Sequence, residues 1–232
     1  MPTAILFDIG LTVIHPSGEV MLAEARAEIP GFDAAPHHLV AALLLAAEAR
    51  HLPLPLGLDG DGKVAVTWGM LAGLPPETSL KVWRRMMARD DLYCELDAGA
   101  VELLRGLRER GIKVGAVSNS DGMLPQELLH FGLAGYFDTV IDSALVSIEK
   151  PNPGIFHAAL DALDVTAGQC WFVGDGLVND ILGARSIGVG LAVLYDRLEV
   201  YGHLPAVAKV HRLDQLLMWL DHIALPGTNR EK

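Results

Sequence analysis

An aspartate directly follows a short apolar run near the N-terminus of the 232-residue chain. Residues 4–7 read Ala-Ile-Leu-Phe, Asp8 comes next, and Thr12 lies four positions later. An uninterrupted apolar run of this length is typical of a strand buried in a parallel sheet. Ligands bind at the carboxyl ends of such strands, where a carboxylate can act as nucleophile or metal ligand. A carboxylate that only caps the following turn gives the same pattern, so both interpretations stay open for Asp8 alone.

Three further predicted strands are also followed by polar residues, of complementary kinds. They are Ser118-Asn119 after residues 113–117, Lys150 beyond residues 139–142, and Gly174-Asp175 with Asp180 after residues 171–173. Each alone fits turn chemistry or a solvated loop. Their joint occurrence at the same kind of position indicates that carboxylates, a hydroxyl and an ammonium converge at one edge of a sheet.

An alternation of strands and helices is needed to bring these residues together. From about residue 97 the pattern predicts, in order, helix 99–110, strand 113–117, helix 125–130, strand 139–142, helix 152–163, strand 171–173, helix 178–187, strand 190–194 and helix 213–222. This alternation predicts a parallel sheet between helices. Residues 15–95 instead predict helices at 19–28, 37–50, 63–72 and 77–89 with a Pro- and Gly-rich loop at 51–63, so a helical block is inserted after the first strand.

Composition and charge limit the classes of function. The chain is 51% hydrophobic and has a formal net charge of −11, with its basic residues scattered along the sequence. That balance argues against nucleic acid, whose binding depends on phosphate neutralisation. The longest apolar run, residues 39–47, is too short to cross a bilayer. Two isolated cysteines and no visible signal peptide lead us to expect a cytoplasmic protein without a membrane partner.

The ordered set of motifs resembles the haloacid dehalogenase (HAD) superfamily, in the branch with a helical cap inserted after the first strand. The motifs are Asp8-x-x-x-Thr12, Ser118, Lys150-Pro151 and Gly174-Asp175-x4-Asp180. The resemblance implies an α/β fold: a Rossmann-like parallel sheet core at 1–14 and 96–232, with an inserted helical cap domain at 15–95. It further implies a hydrolase, in the leading interpretation a phosphatase acting on a small phosphorylated metabolite.

Residue roles follow from the resemblance position by position. Asp8 is similar to the nucleophile that forms an aspartyl-phosphate, which water then hydrolyses. Asp8, the backbone carbonyl of Gly10, Asp175 and Asp180 are implied as the protein's contribution to a Mg²⁺ site. Ser118 and Lys150 are implied as catalytic residues that also bind the phosphate, with Thr12 and Asn119 as further substrate-binding residues.

Gly10 departs from the pattern of the family's phosphatases. Most of them carry a second aspartate at this position, which serves as general acid and base. Glycine keeps the backbone carbonyl but has no proton donor, and such help is worth roughly 10²–10⁴-fold. His15 and Glu19, just downstream, are candidate substitutes, although a linker residue and a helix-capping residue would look the same.

Two rival functions stay open at this point. One is carbon–halogen cleavage by Asp8, although that subfamily has an aromatic residue at the Gly10 position and needs no metal. The other is a non-catalytic or regulatory binding protein on a degenerate HAD fold, which the missing acid at Gly10 favours. Arg84, Arg85 and Arg89 in the inserted block either meet a second anionic group of a substrate or form a solvated helix face. The sequence indicates neither the substrate nor the oligomeric state.

Overall fold

Two compact units make up the chain. The structure, a computed structural model, describes residues 1–53, 57–202 and 207–224. The first unit, called here the sheet unit, comprises Met1–Val13, Leu96–Asp175 and the residues from Asn179 onward. The second, called here the helical unit, comprises Ile14–Glu95 together with Gly176–Val178.

The two units are built from short strands and helices. Among the described residues the strands are β1 (Ala4–Phe7), β2 (Ile14–Pro16), β3 (Tyr93–Leu96), β4 (Lys113–Ser118), β5 (Thr139–Asp142), β6 (Cys170–Gly174), β7 (Leu191–Tyr195) and β8 (Ala208–Val210). The α-helices are α1 (Gly18–Glu28), α2 (Pro36–Ala47), α3 (Gly60–Ala72), α4 (Pro76–Met87), α5 (Ala100–Glu109), α6 (Leu124–His130), α7 (Ser143–Val146), α8 (Pro153–Leu163), α9 (Gly183–Ser186) and α10 (Gln215–Ala224). In the same ranges, 3₁₀ turns lie at Glu48–His51, Ala134–Tyr136 and Ala167–Gln169, and a π-helical turn lies at Leu177–Leu182.

Six strands form one sheet in the order β5-β4-β1-β6-β7-β8, and every adjacent pair is parallel. All four residues of β1 are buried, as expected for a strand covered on both faces. The chain leaves β1 toward β4 and β5 on one side and returns to β6, β7 and β8 on the other. β1 therefore lies at the switch point where ligands bind in open α/β sheets, and the α/β fold predicted from the sequence is confirmed.

The structure corrects several predicted elements. β2 and β3 pair with each other in a second, two-stranded sheet, although the sequence showed no strand pattern around residues 14–16. Strands of three and four residues are too short to display alternation, so long-range pairing decides them. The helix predicted at 178–187 is instead the π-helical turn followed by α9, and α3 begins at Gly60 because Asp59 accepts a hydrogen bond from the Gly62 N–H. In the predicted loop at 51–63, residues 54–56 lie outside the described ranges.

Four helices, α1 to α4, pack together in the helical unit. Trp68 of α3 is fully buried, and its indole N–H donates to the Leu39 carbonyl at 3.1 Å. The Trp83 ring of α4 lies 6.1 Å from that of Trp68 between centroids. α3 and α4 approach closely at Gly69, where a Cβ would come within 1.9 Å of the Ser79 hydroxyl. None of the helices in the described ranges is long and apolar enough to cross a lipid bilayer.

Candidate active site

Asp8 lies immediately beyond the central strand β1. Its backbone N–H donates to the Val173 carbonyl of β6 at 2.9 Å, so sheet pairing fixes the residue's position. The chain then turns sharply, and Leu11 adopts a positive φ of 65°. This turn leaves Asp8 largely buried at the strand end.

Asp8, Asp175 and Asp180 form a cluster of buried carboxylates. One oxygen of each lies within 4.8 Å of the others. Asp175 comes directly after β6, which pairs with β1, and Asp180 lies in the π-helical turn that follows. Such turns occur frequently at functional sites. The Asp180 side chain packs against Gly174, where a Cβ would come within 2.4 Å of its Oδ2, so only glycine fits there.

Lys150 bridges two of these carboxylates. Its Nζ lies 2.6 Å from Asp8 Oδ1 and 2.7 Å from Asp180 Oδ1, in a side chain that is only 3% exposed. Burial by itself disfavours the charged ammonium, but the carboxylates of Asp180 and Asp8 outweigh it and raise the pKa of Lys150. The two carboxylates therefore favour the charged form of the ammonium at the end of β1.

The cluster holds three acids and one base. Burial is the main cause that raises the pKa of Asp175 well above its usual range, and the nearby negative charges of Asp8 and Asp180 raise it further. A divalent cation would relieve this excess of negative charge, and carboxylate oxygens are the ligands that Mg²⁺ prefers. The residues present therefore fit a divalent metal ion.

Two hydroxyl groups are directed at the carboxylates. The Ser118 hydroxyl, at the end of β4, donates to Asp8 Oδ1 at 3.0 Å. The Thr12 hydroxyl donates to Asp175 Oδ1 at 2.9 Å, and Thr12 is fully buried. The hydroxyl proton of Thr12, predicted to meet the substrate, is thus used to hold Asp175.

The side-chain amide of Asn119 makes two hydrogen bonds to the backbone of Lys150, one through its nitrogen and one through its oxygen. Asn119 Nδ2 donates to the Lys150 carbonyl at 3.0 Å, and the Lys150 N–H donates to Asn119 Oδ1 at 2.7 Å. Asn119 was predicted as a substrate-binding residue, and the structure places both of its polar side-chain atoms against the Lys150 backbone.

Asp142 and Ser143, which were not predicted as site residues, hold the loop after Ser118. Asp142 is buried and accepts N–H bonds from Gly122, Leu124 and Ala144. The Ser143 hydroxyl accepts from the Ser120 N–H and donates to its carbonyl, both at 3.0 Å. The sequence pattern could have predicted both residues. Asp142 ends a predicted strand of the parallel sheet and Ser143 follows it, so they lie at the same kind of position as the other site residues.

Gly10 and its candidate substitutes lie in different units. Gly10 is half-buried in the turn after β1 and belongs to the sheet unit. His15 is buried in β2 and Glu19 is exposed in the first turn of α1, and both belong to the helical unit. Whether either residue replaces the missing acid remains a prediction.

The chain is similar to known proteins in sequence and in structure. A family model described as haloacid dehalogenase-like hydrolase matches residues 2–188. Haloacid dehalogenase-like hydrolase domain-containing protein 3 of Bos taurus is 41% identical over 91 residues, which are 39% of this chain and 36% of that protein. A glyceraldehyde 3-phosphate phosphatase of Pyrococcus abyssi (strain GE5 / Orsay) is 36% identical over 92 residues, 39% of each chain. The matches thus cover less than two fifths of these relatives.

Solved structures match along almost the whole chain. A HAD phosphatase from Thermococcus onnurineus is 24% identical with a TM-score of 0.60, covering 94% of this chain and 97% of that one. An L-2-haloacid dehalogenase from Xanthobacter autotrophicus is 20% identical with a TM-score of 0.64, covering 97% of this chain and 100% of that one. At these identities the likeness shows the shared fold alone.

Proposed function

Because the chain belongs to the haloacid dehalogenase-like hydrolase family, we propose that it is a Mg²⁺-dependent phosphatase of a small phosphomonoester. The observation that carries the proposal is the cluster of Asp8, Asp175 and Asp180, whose oxygens lie within 4.8 Å of one another. The Lys150 ammonium bridges Asp8 and Asp180. Three buried carboxylates with one positive charge suit a divalent cation and an anionic substrate together.

Asp8 is the proposed nucleophile. One of its carboxylate oxygens attacks phosphorus, the bond from phosphorus to the ester oxygen breaks, and the alcohol leaves after taking up a proton. Water then attacks the aspartyl-phosphate, the bond between phosphorus and the Asp8 oxygen breaks, and inorganic phosphate and the free carboxylate are released. Both steps occur at the carboxyl end of β1, where Asp8 is held by sheet pairing.

The metal site is proposed to consist of Asp8, the Gly10 carbonyl, Asp175 and Asp180. Bound there, Mg²⁺ would supply positive charge that lowers the repulsion between the carboxylate and the phosphate. Thr12 holds Asp175 in place through its 2.9 Å hydrogen bond.

Lys150 and Ser118 are proposed to stabilise the transferring group. The Lys150 ammonium already contacts Asp8 at 2.6 Å, so it can neutralise charge on the nucleophile and on a phosphate oxygen beside it. The Ser118 hydroxyl, which donates to Asp8 at 3.0 Å, can turn its proton to a phosphate oxygen once the substrate arrives. Neither role requires a general acid at Gly10.

Triose phosphates are the first substrate class to test. The support is the Pyrococcus abyssi relative named glyceraldehyde 3-phosphate phosphatase, whose match covers 39% of the chain. We propose that the helical unit acts as the cap that selects the substrate, as the family resemblance implies.

The test is phosphate release by the purified protein from p-nitrophenyl phosphate and glyceraldehyde 3-phosphate, with Mg²⁺ and with EDTA. We expect release with Mg²⁺, loss in EDTA and recovery when Mg²⁺ is restored. Full turnover in EDTA would overturn the metal-dependent mechanism. Halide release from 2-chloropropionate without metal would support the dehalogenase alternative, and no turnover of any of these compounds would support a non-catalytic binding protein.

A further inference from the structure

We propose that Asn119 is a positioning residue that fixes the Lys150 ammonium by clamping the Lys150 backbone. The catalytic part of this inference rests on the proposed function, because it takes Lys150 as a group that contacts the phosphate. The geometric part does not depend on any reaction.

The clamp consists of two complementary hydrogen bonds. A side-chain amide carries one donor and one acceptor, and those of Asn119 pair with the carbonyl and the N–H of the same residue, Lys150, at 3.0 and 2.7 Å. The two bonds reproduce the pair of N–H and C=O bonds that a neighbouring strand makes in a β-sheet, with a side chain in place of the strand. It restrains the lysine main chain from two directions.

The clamp itself is anchored on both sides of Asn119. Ser118 ends β4 and donates to Asp8 at 3.0 Å. Ser120 has its N–H and its carbonyl bonded to the Ser143 hydroxyl, both at 3.0 Å. Asn119 therefore extends from a segment whose position is set by the sheet and by residues just beyond β5.

Lys150 needs such an anchor because it lies in the loop between α7 and α8. Its Nζ must meet two carboxylates at once, at 2.6 and 2.7 Å, from the end of a long side chain. A displacement of about 1 Å of a reacting group can cost about a hundredfold in rate. Fixing the backbone of Lys150 is thus a direct way to keep the ammonium beside Asp8.

The experiment compares Asn119→Ala with Asn152→Ala. Asn152 is the matched control, because it lies two residues after Lys150 and its side chain accepts the Gly154 N–H at the start of α8. Both variants lose an asparagine next to the same loop, but only Asn119→Ala loses the bonds to the Lys150 backbone. Asn119→Asp, which keeps the shape and the acceptor, replaces Asn119→Ala if the alanine variant does not fold.

The first readout is a double-mutant cycle on turnover of p-nitrophenyl phosphate with saturating Mg²⁺. We expect Asn119→Ala to lower kcat/KM by up to about a hundredfold, and Asn152→Ala to leave it unchanged. In a Lys150→Met background the further loss from Asn119→Ala should nearly vanish, because residues that act through each other are not additive. Unchanged kcat/KM in Asn119→Ala, or losses that simply multiply, would overturn the catalytic part.

The second readout needs no activity. The Lys150 N–H donates to Asn119, so its hydrogen exchange measured by NMR should accelerate in Asn119→Ala and not in Asn152→Ala. The ¹⁵N signal of the Lys150 ammonium should shift in the same variant. If the Lys150 N–H exchange and the ammonium signal both stay as in the wild type, Asn119 does not position Lys150, whether or not the protein is an active enzyme. If they change while the wild type hydrolyses no phosphomonoester, the clamp stands and the proposed function fails.

Discussion

Two clusters of charged side chains, one in each unit, differ in their balance of charge. The cluster at the strand ends of the sheet unit has three acids and one base: Asp8, Asp175, Asp180 and Lys150. The network on α1, on α4 and on the residues just after α4, in the helical unit, has three acids and three bases: Glu24, Glu28, Asp91, Lys81, Arg85 and Arg89. The first is buried, whereas the bases of the second are 39–67% exposed at the side chain.

In the network of the helical unit, each of the two arginines pairs with two carboxylates. Arg85 contacts Glu24 at 2.7 Å and Glu28 at 3.0 Å, and Arg89 contacts Glu24 at 3.0 Å and Asp91 at 2.7 Å. The hydrogen bond from Arg85 is the main cause that lowers the pKa of Glu24. Arg85 and Arg89, which the sequence left open as contacts for an anionic substrate, are therefore engaged with carboxylates of their own unit.

The difference shows which feature of a charged cluster points to chemistry. In the helical unit, equal numbers of acids and bases near solvent form ion pairs with one another, and these pairs link α1 to α4. In the buried cluster, burial first and the negative charges of Asp8 and Asp180 second raise the pKa of Asp175, and such a site gains from a cation. Excess charge together with burial, rather than the presence of ion pairs, distinguishes the candidate site.

The largest expected effect is on turnover when the cluster loses its nucleophile. Asp8→Asn keeps the size of the side chain but cannot form an acyl-phosphate, so we expect the rate to fall by more than about a hundredfold. Folding stability without metal should not fall, because the variant removes one of the excess negative charges. Steady-state kinetics and thermal unfolding check both points, and a variant that keeps more than about a hundredth of the rate would show that Asp8 is not the nucleophile.

Gly10→Asp is expected to raise turnover of alkyl phosphates. The new carboxyl group restores a proton donor for a poor leaving group, worth as much as roughly 10²–10⁴-fold, while p-nitrophenyl phosphate, whose leaving group needs little protonation, should gain less. The ratio of the two rates measures the effect, with Gly10→Asn as the control of equal size. If the wild type already treats both substrates alike and the aspartate gains nothing, another acid serves, and His15 and Glu19 are the first to test.

Gly174→Ala is expected to weaken metal binding by displacing Asp180. A Cβ at this position would come within 2.4 Å of Asp180 Oδ2 and 2.7 Å of its Cβ, so the carboxylate must move. Loss of a residue that orients a metal ligand typically costs about 10- to 100-fold in metal affinity or activity. The Mg²⁺ concentration that gives half-maximal turnover measures the loss.

Gly168→Ala is the matched control for that prediction. A Cβ at Gly168 meets nothing within 4 Å, so the Mg²⁺ dependence of this variant should equal that of the wild type. Equal Mg²⁺ dependence in both alanine variants would mean that Asp180 does not act at the metal.

The smallest effect is expected in the balanced network. Glu24→Gln should lower the free energy of unfolding by about 1 kcal/mol, because its arginine partners are partly exposed and screened by solvent, and it should retain turnover. Since folding lowers the pKa of Glu24, this contribution is fully present above about pH 4.5, its ordinary value, and disappears as the pH falls through the lowered value. Denaturant unfolding of both proteins at neutral and acidic pH checks this. If Glu24→Gln loses turnover and keeps its stability, the network around Glu24 serves the reaction rather than the stability of the helical unit.

The sequence by itself determined the fold class, the family and the residues of the cluster. The alternation of strands and helices predicted the fold class. The apolar run before Asp8, and the polar residues after three further strands, predicted the cluster because parallel strands end at a common edge. The family resemblance drawn from these motifs is confirmed by the match over residues 2–188. The catalytic roles remain predictions that the experiments above address.

Only the tertiary structure decided which side-chain atoms of the site form hydrogen bonds and ion pairs with each other. Thr12 and Asp175 are 163 residues apart, and Lys150 lies 142 residues from Asp8. Thr12 and Asn119 stay predictions as substrate contacts, and only the structure shows that their polar atoms hold Asp175 and the Lys150 backbone. Local patterns place a residue on an element and toward an edge, but a hydrogen-bond partner depends on strand order and loop path, which long-range packing sets.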